Sequence, residues 1–378
     1  MSAAWMLPSS PHGWVYGVLR LTLPDTSLSK LRIAARIKRI SQLKYWLLQF
    51  NCRVPDLMKL SKILFITSLL CSVASFAAEK PLLRIGVLAF GTTNWELLAL
   101  EQQKLLDNAD FKLDVHKVAN PQAGKIALQA DAVDMIITDW IWVNRMRASG
   151  SDYSFYPYSS ASGALVVAKD SNIHSIADLK DKRLGIGGDE LDKNWLLLQA
   201  LAQQQNLDLN QNVQKSFGAP PLLNQQLLQQ NVDAVLNYWH YAAELEAKGY
   251  QILLSGQDIL KGLGINSAMP NLGYVFKQSW AEQHKAALTS FIKVTEHARD
   301  QLCSSDAAWQ PIIPLLKTDD ATTQNKLRQR YCEGRVTDWN KTQAQTADKI
   351  YALLRTVSGS KLTGETNAIQ AGTFWFTE

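Results

Sequence analysis

The sequence predicts an α/β protein of two lobes, each a mainly parallel sheet flanked by helices, with a hinge of two crossing strands. Three observations carry this. Short β-branched runs alternate with helical stretches along the chain. The series stops near residue 160 and restarts with the same grammar. The 300 residues from Glu79 to Glu378 are too many for one small core and suit two lobes.

The first series opens with a strand over Leu82 to Leu88, just after Pro81, followed by a helix over Trp95 to Leu106. Phe111 to Val118 alternates like a half-buried strand, and Pro121 to Ala130 is a helix with proline in its first turn. Val133 to Thr138 is a strand and Ile141 to Ala148 a helix. The second series has a strand over Gly163 to Ala168 and a short helix from Ser175 to Leu179, where Ser175 and Asp178 have capping-box spacing. It continues with a strand over Arg183 to Ile186, a helix over Leu191 to Gln205 and a strand over Val213 to Phe217. A helix over Leu222 to Gln230, a strand over Val232 to Leu236, a helix over His240 to Ala247 and a strand over Ile252 to Leu254 complete it. Asn271 to Phe276 is one more strand, and Ser279 to Val357 reads as helical. The segments 163–168 and 272–277 flank the second series and are the expected connectors between lobes. The expected division is lobe 1 over 79–165 plus 275–378 and lobe 2 over 166–274.

The N-terminal region differs in kind. Residues 58–78 have the pattern of a secretory signal peptide: Lys59 and Lys62, an apolar run from Ile63 to Phe76, and small Ser75 and Ala77 at the −3 and −1 positions. The run is too short to span a bilayer comfortably. The expectation is a periplasmic protein, exported through a cleaved signal, whose folded part starts near Ala78 or Glu79. Residues 1–57 carry net charge +6 and the signal +2, leaving −3 for the remainder of a chain whose total is +5. The whole-chain charge therefore says little about partners, and nucleic acid is not expected as one. Residues 1–57 read as a basic extension ahead of the true start at Met58; the rival reading is a membrane-surface helix over Leu31 to Phe50. Cys71 follows Leu70, too large for a lipobox. Beyond the signal only Cys303 and Cys332 remain. Two cysteines in an exported protein predict one disulfide; the alternative is two free buried thiols.

In open α/β sheets, small molecules bind beyond the carboxyl ends of the strands. After the first strand stand Thr92, Thr93, Asn94 and Trp95, with Thr93 and Glu96 at capping-box spacing. After the third come Asp139 and Trp140. In the second lobe Gly188, Asp189, Asn194 and Trp195 follow one strand, and Asn237, Tyr238 and Trp239 another. Five tryptophans, Trp95, Trp140, Trp142, Trp195 and Trp239, lie within about a turn of a strand end. Each is either core packing, the stronger reading for Trp142, or part of a cleft of flat rings for a planar or cationic ligand.

Over residues 82–357 the chain resembles the periplasmic solute-binding proteins of ABC importers, of the nitrate/sulfonate/taurine and aminopyrimidine-precursor type. The phrases that carry the resemblance occur in matching order: Gly91 to Trp95 after the opening strand, Ala132 to Asp139, Ile176 to Gly185, and Val232 to Trp239. The resemblance implies a two-lobe periplasmic-binding-protein-like fold of type II, which closes on a small-molecule ligand and presents it to an inner-membrane permease. It further implies a monomer without a cofactor, bound metal or chemistry of its own. The thirteen strand-end residues named above, from Thr92 to Trp239, are then the expected ligand contacts.

One departure bears on the ligand. Anion-binding members are expected to offer Arg, Lys or bare backbone N–H groups, whereas here Asp139, Asp189 and Glu190 stand at the strand ends and Lys193 is the only base nearby. A carboxylate at a helix N-terminus offsets the dipole that would attract an anion. An amine or amino-heterocycle is expected over sulfonate or nitrate; the bland alternative makes Asp189 an N-cap and Asp139 a loop acid. Two other functions compete. An aminopyrimidine-synthase-like enzyme would need a cysteine-rich motif, and this chain has no cysteine between Cys71 and Cys303. The run Gly185, Gly187, Gly188 lacks the third glycine of a dinucleotide fingerprint. A ligand sensor docking to a receptor would use the same lobes, with the helical tail as its docking surface.

Overall fold

The computed structural model describes residues 79–377 apart from Phe90 and Ala268. The basic extension, the signal segment and Cys71 lie outside the described residues.

Ten strands and nine principal helices follow one another among the described residues. The first series is β1 (Leu82–Leu88), α1 (Thr93–Gln102), β2 (Lys112–Val118), α2 (Pro121–Gln129), β3 (Met135–Thr138), α3 (Trp140–Ala148) and β4 (Tyr153–Ser159). The second is β5 (Ala164–Val167), β6 (Arg183–Gly187), α4 (Lys193–Gln204), β7 (Gln214–Gly218), α5 (Pro220–Leu228), β8 (Ala234–Asn237), α6 (Trp239–Ala247) and β9 (Gln251–Ser255). Then come β10 (Leu272–Lys277), α7 (Lys285–Ser304), α8 (Ala321–Glu333) and α9 (Lys341–Ser358).

The strands form two five-stranded sheets, ordered β2-β1-β3-β10-β4 and β7-β6-β8-β5-β9. Each is mixed, not mainly parallel. In the first, β1 pairs in parallel with β2 and β3, while β10 runs antiparallel to β3 and β4. In the second, β6 pairs in parallel with β7 and β8, while β5 runs antiparallel to β8 and β9. The reason is the crossing chain. It leaves the first sheet after β4 and enters the second as β5, then returns from β9 to β10, and each arriving strand inserts opposite to its neighbours. The flanking strands thus lie inside the sheets, and the crossings themselves are the segments 160–163 and 256–271.

Strand β4 was not legible in the sequence. Pro157 interrupts Tyr-Ser-Phe-Tyr-Pro-Tyr-Ser, and proline demotes a strand reading. It is tolerated because β4 is the last strand of its sheet. Beyond it lie just two short bridges among the described residues: Ser159 to Arg335, and Phe155 to Phe374 of the C-terminal tail, where Phe155 N–H donates to Thr373 O and Trp375 N–H to Phe155 O, each at 2.9 Å.

The same staple closes both lobes. Arg84 at the start of β1 grips Asp134 through its own backbone N–H (2.8 Å), Nε (3.1 Å) and Nη2 (2.5 Å). Arg183 at the start of β6 grips Asp233 in the same way, at 2.8, 3.1 and 2.6 Å. In both pairs the partners are 50 residues apart.

The C-terminal helices tie the lobes together. Helix α7 packs on α1, α8 on α6, and α9 on α4. Arg330 of α8 forks onto Glu246 of α6 at 2.9 and 2.7 Å. Cys303 and Cys332 are disulfide-bonded, joining the end of α7 to the end of α8. One buried cluster runs without a break through Trp140 and Val143 of the first lobe, Trp195 and Leu198 of the second, and Tyr351 of α9.

Candidate functional site

The ends of β1 and β8 face one another across the lobes. The chain leaving β1 reaches Thr92, and the chain leaving β8 reaches Trp239; both side chains line one small cavity. Its other walls are Glu96 of α1, Tyr158 and Ser159 of β4, Arg299 of α7, Tyr331 of α8, and Arg335. The free volume is about 10 Å³, room for roughly one water. Trp239, Ala161 and Gly334 form the partition to a neighbouring cavity of about 150 Å³. That second space is lined by Leu197, Ile252, Leu260 and Met269 on its apolar side, with Asn194, Ser255 and Asn271 among its polar groups.

The predicted pairing of Thr93 with Glu96 as a capping box does not form. Thr92 is the N-cap of α1 and makes no side-chain cap. Glu96 instead turns inward and is 2% exposed, one helical turn from the equally buried Leu100. Its Oε1 accepts from Tyr331 Oη at 2.8 Å, and its Oε2 has no partner. Burial raises its pKa, opposed by the nearby Arg299 guanidinium and the tyrosine hydroxyls. Arg299 is also buried, donates from Nη1 to Tyr158 O at 3.1 Å, and lies over the Tyr158 ring at 5.4 Å. The Tyr158 hydroxyl stands near Thr93 and Glu96 but completes a hydrogen bond with neither. Burial pushes its pKa well above the ordinary tyrosine value, and the Glu96 charge pushes the same way. Arg335 binds Asp300 through Nη1, while its Nε is buried and unpartnered.

The thirteen expected contacts do not share one place. Thr92 and Trp239 line the small cavity, and Asn194 and Trp239 the neighbouring one. Thr93 stands by Tyr158. Trp95 lies directly behind Trp239, edge-on at 6.3 Å, with Trp309 and Tyr331 at 5.6 and 5.5 Å. Asn94 spends its amide inside its own loop, donating to Leu88 O and Gly91 O and accepting from Lys117.

Asp139 caps α3, accepting from Trp142 N–H at 3.0 Å. It also faces Lys193 across the lobes, with Nζ 3.7 Å from Oδ2. Burial would raise its pKa, but Lys193, Lys125 and the amides of Trp142 and Ile141 outweigh it and hold the carboxyl below its ordinary value. Lys193, expected as the only base near the cleft, is thereby paired and lies in neither cavity wall; the bases at the first cavity are Arg299 and Arg335, brought there by segments far along the chain. Trp140 packs on Tyr351 and Phe374, and Trp195, 1% exposed, on Phe217. Asn237 is buried in a network with Pro220 O, Asn224 and the Tyr238 N–H. Gly188 (φ +98°) lies against the Tyr238 hydroxyl, in backbone space that a side chain rarely adopts. Asp189 is exposed and accepts from Leu191 N–H, while the cap of α4 is Asp192. Burial and the charges of Asp192 and Asp189 push the Tyr238 pKa up to about 12.

Glu96, Tyr158, Arg299, Tyr331 and Arg335 were not anticipated from the sequence. One signal was present for Arg299. It falls in helical phase with Leu288, Ile292, Thr295 and Leu302, all buried, so an arginine sits on the apolar face of α7. Among the described residues no group of His, Cys, Asp and Glu is placed to hold a metal ion, and no helix is long and apolar enough to cross a membrane.

Residues 157–305 match the family model described as NMT1/THI5 like. No curated protein matches the chain significantly. Among solved structures, the chain is similar to the alkanesulfonate-binding protein SsuA from Xanthomonas axonopodis pv. citri, bound to MOPS. The TM-score is 0.58 at 17% identity, over 79% of this chain and 99% of that one. It is similar to the periplasmic aliphatic sulphonate binding protein SsuA from Escherichia coli, with TM-score 0.56, 21% identity, and 79% and 94% of the two chains covered. An ABC transporter structure from Parabacteroides distasonis aligns with TM-score 0.59 at 14% identity, over 79% of this chain and 99% of that one. At these identities the likeness establishes the fold, an α/β architecture of the periplasmic-binding-protein type.

Proposed function

We propose that this chain is the periplasmic substrate-binding component of an ABC transporter, capturing a small organic solute between its lobes and delivering it to an inner-membrane permease. The observation that carries the reading is that the ends of β1 and β8, one from each lobe, contribute Thr92 and Trp239 to a single cavity, the place where open α/β sheets hold ligands. The match over residues 157–305 and the sulfonate-binding neighbours support the same role. The signal pattern at 58–78 supports export.

In this reading Thr92, Asn194 and Trp239, of the thirteen expected residues, line the cleft and Trp95 backs it; lobe 1 is 79–165 plus 275–378, lobe 2 is 166–274, and the chain acts as a monomer with no reaction of its own. Ligand entry favours a closed state, because contacts from both lobes exist together only when the cleft is shut. The solute is an amine or amino-heterocycle in preference to a sulfonate or nitrate, a preference that rests on Glu96, since Asp139, Asp189 and Glu190 line neither cavity and Arg299 and Arg335 stand in the same wall. Native mass spectrometry of the purified mature chain, followed by calorimetric titration of any released molecule, tests the role. Recovery of a small solute that rebinds in the wild type and binds weakly in Trp239→Ala is the expected result. A solute whose affinity ignores that substitution removes Trp239 from the site. The sensor reading shares this cleft, and an adjacent gene for a receptor kinase in place of a permease would favour it.

A further inference from the structure

We propose that Glu96, Tyr158 and Arg335 form the recognition end of the cleft and accept a head group that offers an N–H donor beside a hydrogen-bond acceptor, as in an amide or an amino-substituted nitrogen heterocycle. This rests on the cleft being the solute site and names which wall reads the solute.

Three polar atoms among the described residues are buried, unpartnered and set around one cavity: Glu96 Oε2, Tyr158 Oη and Arg335 Nε. Glu96 and Tyr158 are 2% and 4% exposed. A buried polar group without a partner is costly, about 1–3 kcal/mol and more when charged. Three around one void with room for roughly one water describe a site that a single water completes at rest and that a head group entering the opened cleft would take over. Their demands differ. Glu96 Oε2 is an acceptor when ionised, Arg335 Nε is a donor only, and Tyr158 Oη can serve either way. A sulfonate or nitrate presents acceptors alone and would meet the Glu96 carboxylate oxygen to oxygen. A donor–acceptor pair on adjacent atoms satisfies all three.

Burial raises the Glu96 pKa, and the groups around it oppose that rise. Tyr331 donates to its other oxygen, and Arg299 stands close by with a guanidinium already committed to Tyr158 O. Trp239 separates this end from the roomier cavity. A solute with its head at Glu96 would extend its body past the ring toward Leu197, Leu260 and Met269.

The test titrates the purified mature chain with 2-aminopyridine, benzamide, propanesulfonate and nitrate, by calorimetry and tryptophan fluorescence. Wild type, Glu96→Gln, Tyr158→Phe and Trp239→Ala are compared, with thermal melts confirming that each is folded. The expected result is binding of 2-aminopyridine or benzamide, with propanesulfonate and nitrate weaker, and a loss of about tenfold or more in Glu96→Gln. Tyr158→Phe, which keeps shape and removes only a hydroxyl, should lose severalfold and stands in should Glu96→Gln fail to fold. For benzamide, which does not titrate, affinity should fall as pH drops through the raised pKa of Glu96. The groups facing Glu96 are Arg299, Arg335, Tyr158, Tyr274 and Tyr331; burial, with the Glu96 charge, pushes the three tyrosines above their ordinary range. An affinity that instead rises on acidification, or a preference for propanesulfonate or nitrate, overturns the head-group assignment, as does binding of none of the four. Donor-bearing probes lost in Trp239→Ala but retained in Glu96→Gln and Tyr158→Phe overturn this recognition end and leave the cleft standing. Probes retained in all three variants overturn the cleft reading itself.

Discussion

The two lobes are fastened by the same device and diverge at the opposite end. In each, an arginine opening the first parallel strand is forked onto an aspartate 50 residues later, with matching hydrogen bonds to backbone and side chain. The fork sits at the amino ends of the strands, where it sets the spacing of β1 to β3 and of β6 to β8. At the carboxyl ends the lobes differ. The first is overlaid by α7 and α8, which bring Arg299 and Tyr331 onto Glu96. The second keeps its own strand-end network, Asn237 with Asn224 and Tyr238, and offers Trp239 outward. One end of a repeated unit is thus scaffold, held alike in both copies, and the other is where the copies specialise.

That contrast can be broken in several ways. The largest effect expected is from Trp195→Ala. A ring 1% exposed and packed on Phe217 is scaffold despite its strand-end position, so urea unfolding should show a loss of about 3–5 kcal/mol. Near-wild-type stability would put Trp195 among the specialised residues instead. Replacing Cys303 and Cys332 with serine should cost about 2–4 kcal/mol in the same assay, because the bond closes a 29-residue separation. It should also loosen α8 over Glu96; an unchanged melting temperature would show that the packing and polar contacts of α8, Arg330 with Glu246 and Tyr331 with Glu96 among them, hold it without the disulfide.

The staples themselves are alike in pattern but not in burial. The Asp134 side chain is 8% exposed and that of Asp233 31%. Asp134→Ala should therefore cost about 2 kcal/mol and Asp233→Ala about 1 kcal/mol. Equal losses would mean that burial does not separate the two forks. Trp239→Ala should leave unfolding nearly untouched and weaken solute binding by about 1–3 kcal/mol, the reverse of Trp195→Ala.

The smallest effect is a pH dependence confined to the second lobe. Burial lowers the His240 pKa from 6.5 to about 4, and its Nδ1 has no partner. The folded state thus disfavours a proton that the unfolded chain accepts. The contribution of this neutral histidine is present above pH 6.5 and is lost progressively as pH falls toward 4. His240→Gln should flatten that part of the stability curve; an unaltered curve would mean that another group governs acid sensitivity.

The double series of strands and helices was legible because period-2 and period-3.6 patterns are local, and each short run carries its own signature. Strand β4 escaped because Pro157 spoils that signature, while the sheet edge tolerates it. The expectation of mainly parallel sheets failed because strand direction depends on how the chain crosses between lobes, which no window of sequence records. At the site, proximity to a strand end brought Thr92 and Trp239 into view. It also drew in Trp140, Trp195 and Asn237, whose side chains turn into the core. Asp139 drew attention as a cleft acid and is spent on a helix cap and on Lys193.

The sequence by itself determined the repeated α/β units, the cysteine pair and the places where loops open onto strand ends, since these follow from side-chain pattern over a few residues and from composition. Only the tertiary structure decided which acid faces the cavity and which bases join it. Glu96, Arg299 and Arg335 are separated by up to 239 residues in the chain, and they meet because α7, tied to α8 through Cys303 and Cys332, is laid back across the first lobe. A charge is costly to bury alone, so the burial that gives these groups meaning arises only when distant segments close around them.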